Sequence, residues 1–255
     1  MANEPSPELT QVESIFIRHR NVLMVRAQFT DIFTDHYLHL ADNNHRYAPE
    51  LDQQLKELYA CITLHSVARP WAETHAWTIN QRAPRVNFFV TASSLFENVT
   101  GRLFTEDVRE APQSLLYSQI TEQHKETRRS TISLDTNNPF DWLEHYYTQS
   151  EQRPGKIFEL PDEHFVLIAA QPDYDEEWFD NLDLDTVALI PDAEETSPLE
   201  SRHFRFHCGC TVERVLPALG SWRDNLDELF QGEPSVTIQC PRCVTKFQIT
   251  PDDLK

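Results

Sequence analysis

Cys208-Gly-Cys210 and Cys240-Pro-Arg-Cys243, with 29 residues between them, hold four of the five cysteines of this 255-residue chain. Two close pairs brought together from a distance can supply two corners each of the tetrahedron that Zn²⁺ takes with thiolates. The last 48 residues, which contain both pairs, are too few to bury a self-sufficient core, so a metal would stabilise them. One Zn²⁺ per chain is therefore expected on Cys208, Cys210, Cys240 and Cys243. His207, which abuts Cys208, offers a Cys₃His alternative. Arg205, Arg214, Arg242 and Lys246 lie close in sequence and would offset the negative charge of four thiolates on one zinc. Cationic neighbours also keep sulfur as reactive thiolate, so the residues alone leave an inert zinc ribbon and a redox sensor both open.

The local pattern suits a small zinc domain. Thr211 stands where it could cap a short helix beginning Val212-Glu-Arg-Val, and residues 236–239 and 246–250 read as a strand pair around the second cysteines. Cys-Pro-Arg-Cys also invites a thioredoxin-like reading. That motif belongs at a helix start in a βαβ unit, whereas here it sits between two short strands, which argues against an oxidoreductase site. Cys61, between Leu58 and Ile62 on a helical stripe, reads as a core residue.

Outward from the cysteines the chain changes character. Residues 157–200 carry 14 acidic residues and no Lys or Arg. Within them Trp178, Phe179, Leu182, Leu184, Val187, Leu189 and Ile190 could form short amphipathic helices, and Pro172, Pro191 and Pro198 punctuate the segment. Further upstream, residues 30–41, 49–67 and 138–150 have helical spacing. Residues 21–29, 75–80, 86–91, 99–105, 128–134, 156–160 and 164–170 read as strands, the last two as a hairpin. This is an α+β pattern. The expected organisation is a flexible tail over residues 1–12, a mixed helix and antiparallel-sheet core over 13–171, an acidic helical linker over 172–200 and a zinc-binding domain over 201–255.

The formal net charge of −19 argues against nucleic acid and anionic membrane surfaces as partners. No apolar run of about 18 residues spans a membrane. The start, Met1-Ala-Asn-Glu-Pro-Ser-Pro-Glu8, has neither the basic nor the apolar region of a secretory leader. With an odd cysteine count, the expected compartment is the reducing cytoplasm. No glycine-rich phosphate loop and no His-Glu-x-x-His is present, so no catalytic site is expected.

The spacing Cys-x-Cys, 29 residues, Cys-x-x-Cys resembles that of the 33-kilodalton heat-shock protein family of redox-regulated holdase chaperones. Cys210-Thr-Val-Glu-Arg-Val-Leu-Pro-Ala-Leu219 is similar to that family's zinc-domain helix, Phe247-Gln-Ile-Thr-Pro-Asp-Asp-Leu254 to its closing strand, and Ser150-Glu-Gln-Arg-Pro154 to the end of a core helix. The family's glycine-rich core segments are absent, Asn98-Val-Thr-Gly-Arg-Leu-Phe-Thr105 standing in their place, and the glycine usual after the last cysteine is Val244. The resemblance implies an ATP-independent chaperone, not an enzyme, that is inactive while zinc is bound. Oxidation would form the disulfides Cys240–Cys243 and Cys208–Cys210, leaving Cys61 free, and would release zinc. The linker would then present Trp178, Phe179, Leu182, Val187, Leu189 and Ile190 to unfolding client proteins, with a homodimer of the oxidised form a further expectation. A zinc-stapled interaction module without a switch is the alternative.

Overall fold

Residues 165–170, Phe-Val-Leu-Ile-Ala-Ala, form an unbroken apolar run because both faces of the strand they make are covered. In the computed structural model, which describes residues 9–222 and 225–254, Phe165, Leu167 and Ala169 point to one buried cluster and Val166, Ile168 and Ala170 to another. Alternate side chains of a strand face opposite sides, so the two clusters lie on opposite faces of one sheet.

The chain begins with strands β1 (Thr10–Ile17) and β2 (Val22–Gln28) and helices α1 (Thr30–Asp42) and α2 (Pro49–Val67). Strands β3 (Glu73–Gln81), β4 (Val86–Ser93), β5 (Asn98–Phe104), β6 (Ser114–Glu122) and β7 (Arg128–Leu134) follow, then α3 (Pro139–Tyr146), β8 (Gly155–Leu160) and β9 (His164–Ala170). Two short helices, α4 (Glu176–Asp180) and α5 (Leu184–Ala193), lead to β10 (Thr196–Phe206). The C-terminal part holds α6 (Val212–Val215), α7 (Leu226–Phe230) and the hairpin β11 (Val236–Gln239) and β12 (Lys246–Ile249).

Strands β1 to β10 form one sheet in the order β7-β6-β3-β4-β5-β10-β1-β2-β9-β8. The fold is α+β, as expected. Every pairing in it is antiparallel except β10 with β5, which is parallel at Arg205 and Phe206. Helices α1, α2 and α3 cover the inner face. The second half of α2 is buried all round, from Leu58 to Val67, beyond the single stripe of Leu51, Leu55, Leu58 and Ile62 read from spacing. Its close approach to β5 needs Gly101: a Cβ there would lie 2.9 Å from the Tyr59 ring and 2.4 Å from the Phe89 carbonyl. Cys61 is fully buried, and burial pushes its thiol well above the ordinary range.

The outer face is divided. Over β1, β2 and β9 it is covered by α4, α5 and the turn between them, from which Phe179, Leu182, Val187 and Ile190 pack on Ile15, Ile17, Val22, Met24, Val166 and Ile168. Over β3, β4, β6 and β7 it is open and polar, presenting Thr74, Thr78, Tyr117 and Thr131. Strands β3, β6 and β7 accordingly alternate, with one face buried and one wet, whereas the second half of β4, Val90 to Ser93, is buried throughout.

Two expected boundaries differ. Of the flexible tail 1–12, residues 1–8 lie outside the described residues, and Thr10–Val12 belong to β1, paired with β10. The linker boundary at 200/201 falls inside β10, which runs on toward the cysteines. Pro198 hides that strand in the sequence, since proline disfavours strand interiors. It is accommodated beside a bulge, where the register shifts between Ser14 and Ile15. Among the described residues, no helix is long and apolar enough to cross a membrane.

Candidate metal centre

The four cysteines arrive on two loops. Strand β10 ends at Phe206, anchored against the rings of His36, His39 and Tyr59 at 5.4 to 5.6 Å, and delivers Cys208 two residues later. The loop turns at Gly209, whose φ of +63° suits glycine, and Arg214 Nη1 donates to its carbonyl at 2.6 Å. Helix α6 follows. Thr211 holds its N-cap position without a side-chain cap bond. The second pair sits in the turn of the β11–β12 hairpin. There Cys240 N–H donates to the Thr245 carbonyl at 2.7 Å and Val244 N–H to the Cys240 carbonyl at 3.3 Å.

One ligand atom from each of Cys208, Cys210, Cys240 and Cys243 lies within 4.8 Å of all the others. Cys208 Sγ is 3.8 Å from Cys240 Sγ, and Cys210 Sγ is 3.5 Å from Cys243 Sγ. A Zn–S bond of about 2.3 Å gives a tetrahedral S···S edge of about 3.8 Å, so the spacing and the all-sulfur donor set both fit Zn²⁺. Cys240 and Cys243 are buried, Cys208 and Cys210 half-buried, with Val215 and Phe247 packed beside them. The Arg242 N–H donates to Cys240 Sγ at 3.4 Å, and Thr245 Oγ1 lies 3.1 Å from Cys243 Sγ. Among the sulfurs alone, hydrogen bonding from Cys208 and its neighbours draws Cys240 far below the usual thiol value and Cys243 down to about 7. His207 is outside the sulfur group. Its N–H instead continues the strand, donating to Val99 at 2.9 Å.

Sequence proximity was a partial guide to the surrounding cations. Arg214 reaches the first loop, but Arg205 and Arg242 are exposed, and the buried guanidinium beside the second pair belongs to Arg102 of β5. Its Nη1 donates to the Cys240 carbonyl at 2.8 Å. Val244 has φ +66°, the left-handed conformation that a β-branched residue adopts only under strain. This is the position where a glycine would be at ease.

The linker residues are ordered. Phe179, Leu182, Val187 and Ile190 are buried, Trp178 is half-buried under the Arg20 guanidinium, and Leu189 faces solvent. Acidic residues cap both helices: Asp175 accepts from Trp178 N–H at 3.0 Å and Asp183 from Thr186 N–H at 2.8 Å. Those bonds hold both carboxyls below the usual range. The remaining charge meets a basic turn, Arg18-His19-Arg20, between β1 and β2. Arg20 pairs with Asp175 and Glu194, and His19 with Glu195. Lys156 Nζ donates to the Phe179 and Asp180 carbonyls at the end of α4, both at 2.9 Å.

A group of four sulfurs that could hold a metal ion is joined to an α+β core through acidic helices, and the comparisons bear on both parts. Residues 160–250, spanning the linker and all four cysteines, match the family model of the Hsp33 protein. No curated protein matches by sequence. The solved 33 kDa chaperonin of Thermotoga maritima, a heat shock protein 33 homolog, is similar over 98% of this chain and 97% of its own, with a TM-score of 0.68 at 16% identity. The chain thus shares its fold with that chaperonin, and residues 160–250, which hold the cysteine spacing that carries the resemblance, match the Hsp33 family model.

Proposed function

We propose that this protein is a redox-regulated, ATP-independent holdase for unfolding proteins, held inactive by one zinc ion on Cys208, Cys210, Cys240 and Cys243. The observation that carries the reading is the group of four sulfurs within 4.8 Å of one another, in a segment whose other apolar core is small. When bound, zinc supplies a cross-link among the four thiolates and so contributes to the folding of the segment. Arg214 and Arg102 hold the two cysteine loops by their carbonyls, and Arg242 N–H and Thr245 support the sulfurs.

A two-electron oxidant of the peroxide or hypochlorite class takes two electrons from the Cys240 and Cys243 thiolates. They become a disulfide, and the oxidant is reduced to water or chloride. Disulfide sulfur is no longer an anionic ligand, so metal retention is lost. The C-terminal segment then loses its cross-link, and α4, α5 and the turn between them, which carry Phe179, Leu182, Val187 and Ile190, lose their support. Their release uncovers apolar surface on both the linker and the sheet, the kind of surface that binds unfolded chains. The many carboxylates keep that open form soluble.

The test compares reduced and oxidised protein for zinc content and for suppression of client aggregation. One zinc per reduced chain, lost as holdase activity appears, is the expected result. Full zinc retention in a Cys240→Ser/Cys243→Ser protein would reject the ligand set. Equal activity in both states would point instead to a zinc-stapled interaction module.

A further inference from the structure

The loop that carries the second cysteine pair is held by side chains of the core as well as by its own hairpin. Arg102 Nη1 donates to the Cys240 carbonyl at 2.8 Å, and Nη2 reaches Gln239 Oε1 at 3.3 Å. His39 Nε2 donates to the Cys243 carbonyl. A carbonyl can only accept, so Nε2 of His39 carries a proton in this bond. Asn43 Oδ1 accepts from the Lys246 N–H at 3.1 Å. Both cysteines of the pair therefore have their carbonyl oxygens held by a core residue, one from β5 and one from α1.

These donors are themselves fixed. Arg102 is only 8% exposed, and its guanidinium stacks over the Phe104 ring at 4.1 Å. On the sheet it stands opposite Phe89, on the face away from α2. His39 is braced against Phe206 at 5.4 Å, and Asn43 Nδ2 donates back to the His39 carbonyl at 2.9 Å. Phe206 lies two residues before Cys208, so the brace that orients His39 toward the second pair also anchors the strand that delivers the first. The loop's own backbone bonds are few: Cys240 to Thr245 and Val244 to Cys240. Fixing the carbonyls of residues 240 and 243 fixes the peptide planes beside both cysteines, and with them the directions of their side chains. Charge favours the same arrangement. Four thiolates on Zn²⁺ leave a formal charge of about −2, and the buried Arg102 guanidinium lies beside it where water cannot screen the attraction well.

We propose that Arg102 and His39 are positioning residues for the metal: the folded core, through these two donors, sets how tightly the C-terminal cysteines retain zinc. The inference rests on the zinc reading above and adds that retention is a property of the core and the C-terminal segment together. A strictly autonomous zinc segment would hold its metal equally well with these donors removed.

The experiment uses the full chain, reduced and zinc-loaded, and follows zinc loss to an excess of a coloured chelator, with no oxidant and no client. His39→Ala is expected to release zinc about tenfold faster, the scale of one lost hydrogen bond to a buried carbonyl. His39→Gln, which restores an N–H donor at similar reach, should return the rate to within about twofold of wild type. Arg102→Ala should exceed tenfold, roughly, because it removes a charged donor. Hydrogen exchange of β3 and β4 is recorded alongside. Protection equal to wild type shows that the core is intact, and if Arg102→Ala loses it, the half-buried His39 variants decide. Wild-type release rates in both alanine variants with an intact core would overturn the inference and leave the zinc reading standing. So would a His39→Gln protein as fast as His39→Ala, since packing and not donation would then explain the effect. A wild-type chain that takes up no zinc would overturn the zinc reading itself and the inference with it.

Discussion

The Arg20 guanidinium donates to both carboxylate oxygens of Glu194, at 3.0 to 3.2 Å. Its remaining nitrogen donates to Asp175 at 2.6 Å, so one cation closes the beginning and the end of the acidic helical segment. Arg20→Ala should loosen that segment without touching zinc. Amide exchange in α4 and α5 is expected to rise roughly tenfold for loss of a partly exposed bidentate pair. The effect should shrink at high salt, where such pairs are screened. Hydrogen exchange at low and high ionic strength checks it, and unchanged exchange at low salt would show that the clamp contributes nothing.

The helices also dock by burial, and the burial is uneven. Phe179 is 2% exposed against the sheet, whereas Leu189 is 59% exposed. Phe179→Ala removes a buried ring, worth about 3–5 kcal/mol in a core, and should undock α4 in the reduced, zinc-bound protein. Aggregation suppression should then appear without oxidant. Leu189→Ala should change neither docking nor activity in the reduced state. Equal behaviour of the two variants would separate client binding from linker release.

Oxidation can join the cysteines in two ways with opposite consequences. Bonds between the loops, Cys208–Cys240 or Cys210–Cys243, would replace the metal with a covalent staple and keep the segment folded. Bonds within each loop, Cys208–Cys210 and Cys240–Cys243, leave the loops unlinked. The within-loop pairs close the shortest loops and should dominate once metal is lost. Peptide mapping without reduction is the measurement. Dominant bonds between loops, or any bond to Cys61, would contradict the switch.

Glu73 gives the core an acid limit. Burial alone would raise its carboxyl, but its hydrogen bond to His75 and the charges of His75, Arg69 and Arg128 outweigh that and hold it below the ordinary value of 4.5. A carboxyl depressed in the folded state contributes stability that is complete above its unfolded value and is lost as pH falls through the folded one. The urea midpoint of the core should therefore fall as pH drops below about 4.5. Glu73→Gln should be less stable at neutral pH and show a shallower fall. A variant with the wild-type slope would remove Glu73 from the explanation.

Reading the sequence captured features whose pattern is local. The cysteine tetrad follows from spacing, and the helical segments from their period. Four of the seven apolar linker residues that stand out in the sequence, Phe179, Leu182, Val187 and Ile190, are the ones buried against the sheet. Leu189 shows the limit, because a ten-residue helix with adjacent Leu189 and Ile190 near its middle does not declare which of them meets the sheet. Features that depend on distant pairing were not legible. The start of strand β1 reads as a polar tail until β10 is set beside it, and the first half of β10 reads as linker because of Pro198. Arg102 lies 138 residues from the carbonyl it holds, so no window of sequence joins them. The basic turn Arg18-His19-Arg20 is unremarkable until the acidic helices fold over it and their mutual repulsion becomes attraction to a common partner.

Strands β9 and β10 flank β1 and β2 in the same sheet, so the acidic helices are tethered at both ends, to points about 14 Å apart at ordinary strand spacing. Once undocked they would form a closed bight of chain and not a free tail. Drawn out fully, about 25 residues reach only about 40 Å from the sheet before they must return. An unfolding chain caught there would lie between that bight and the apolar strip of Ile15, Ile17, Met24 and Ile168 laid bare beneath it. The size of what could be gripped would then be set by the length of the loop between two strands, and the grip would close again as the helices settled back onto their own footprint.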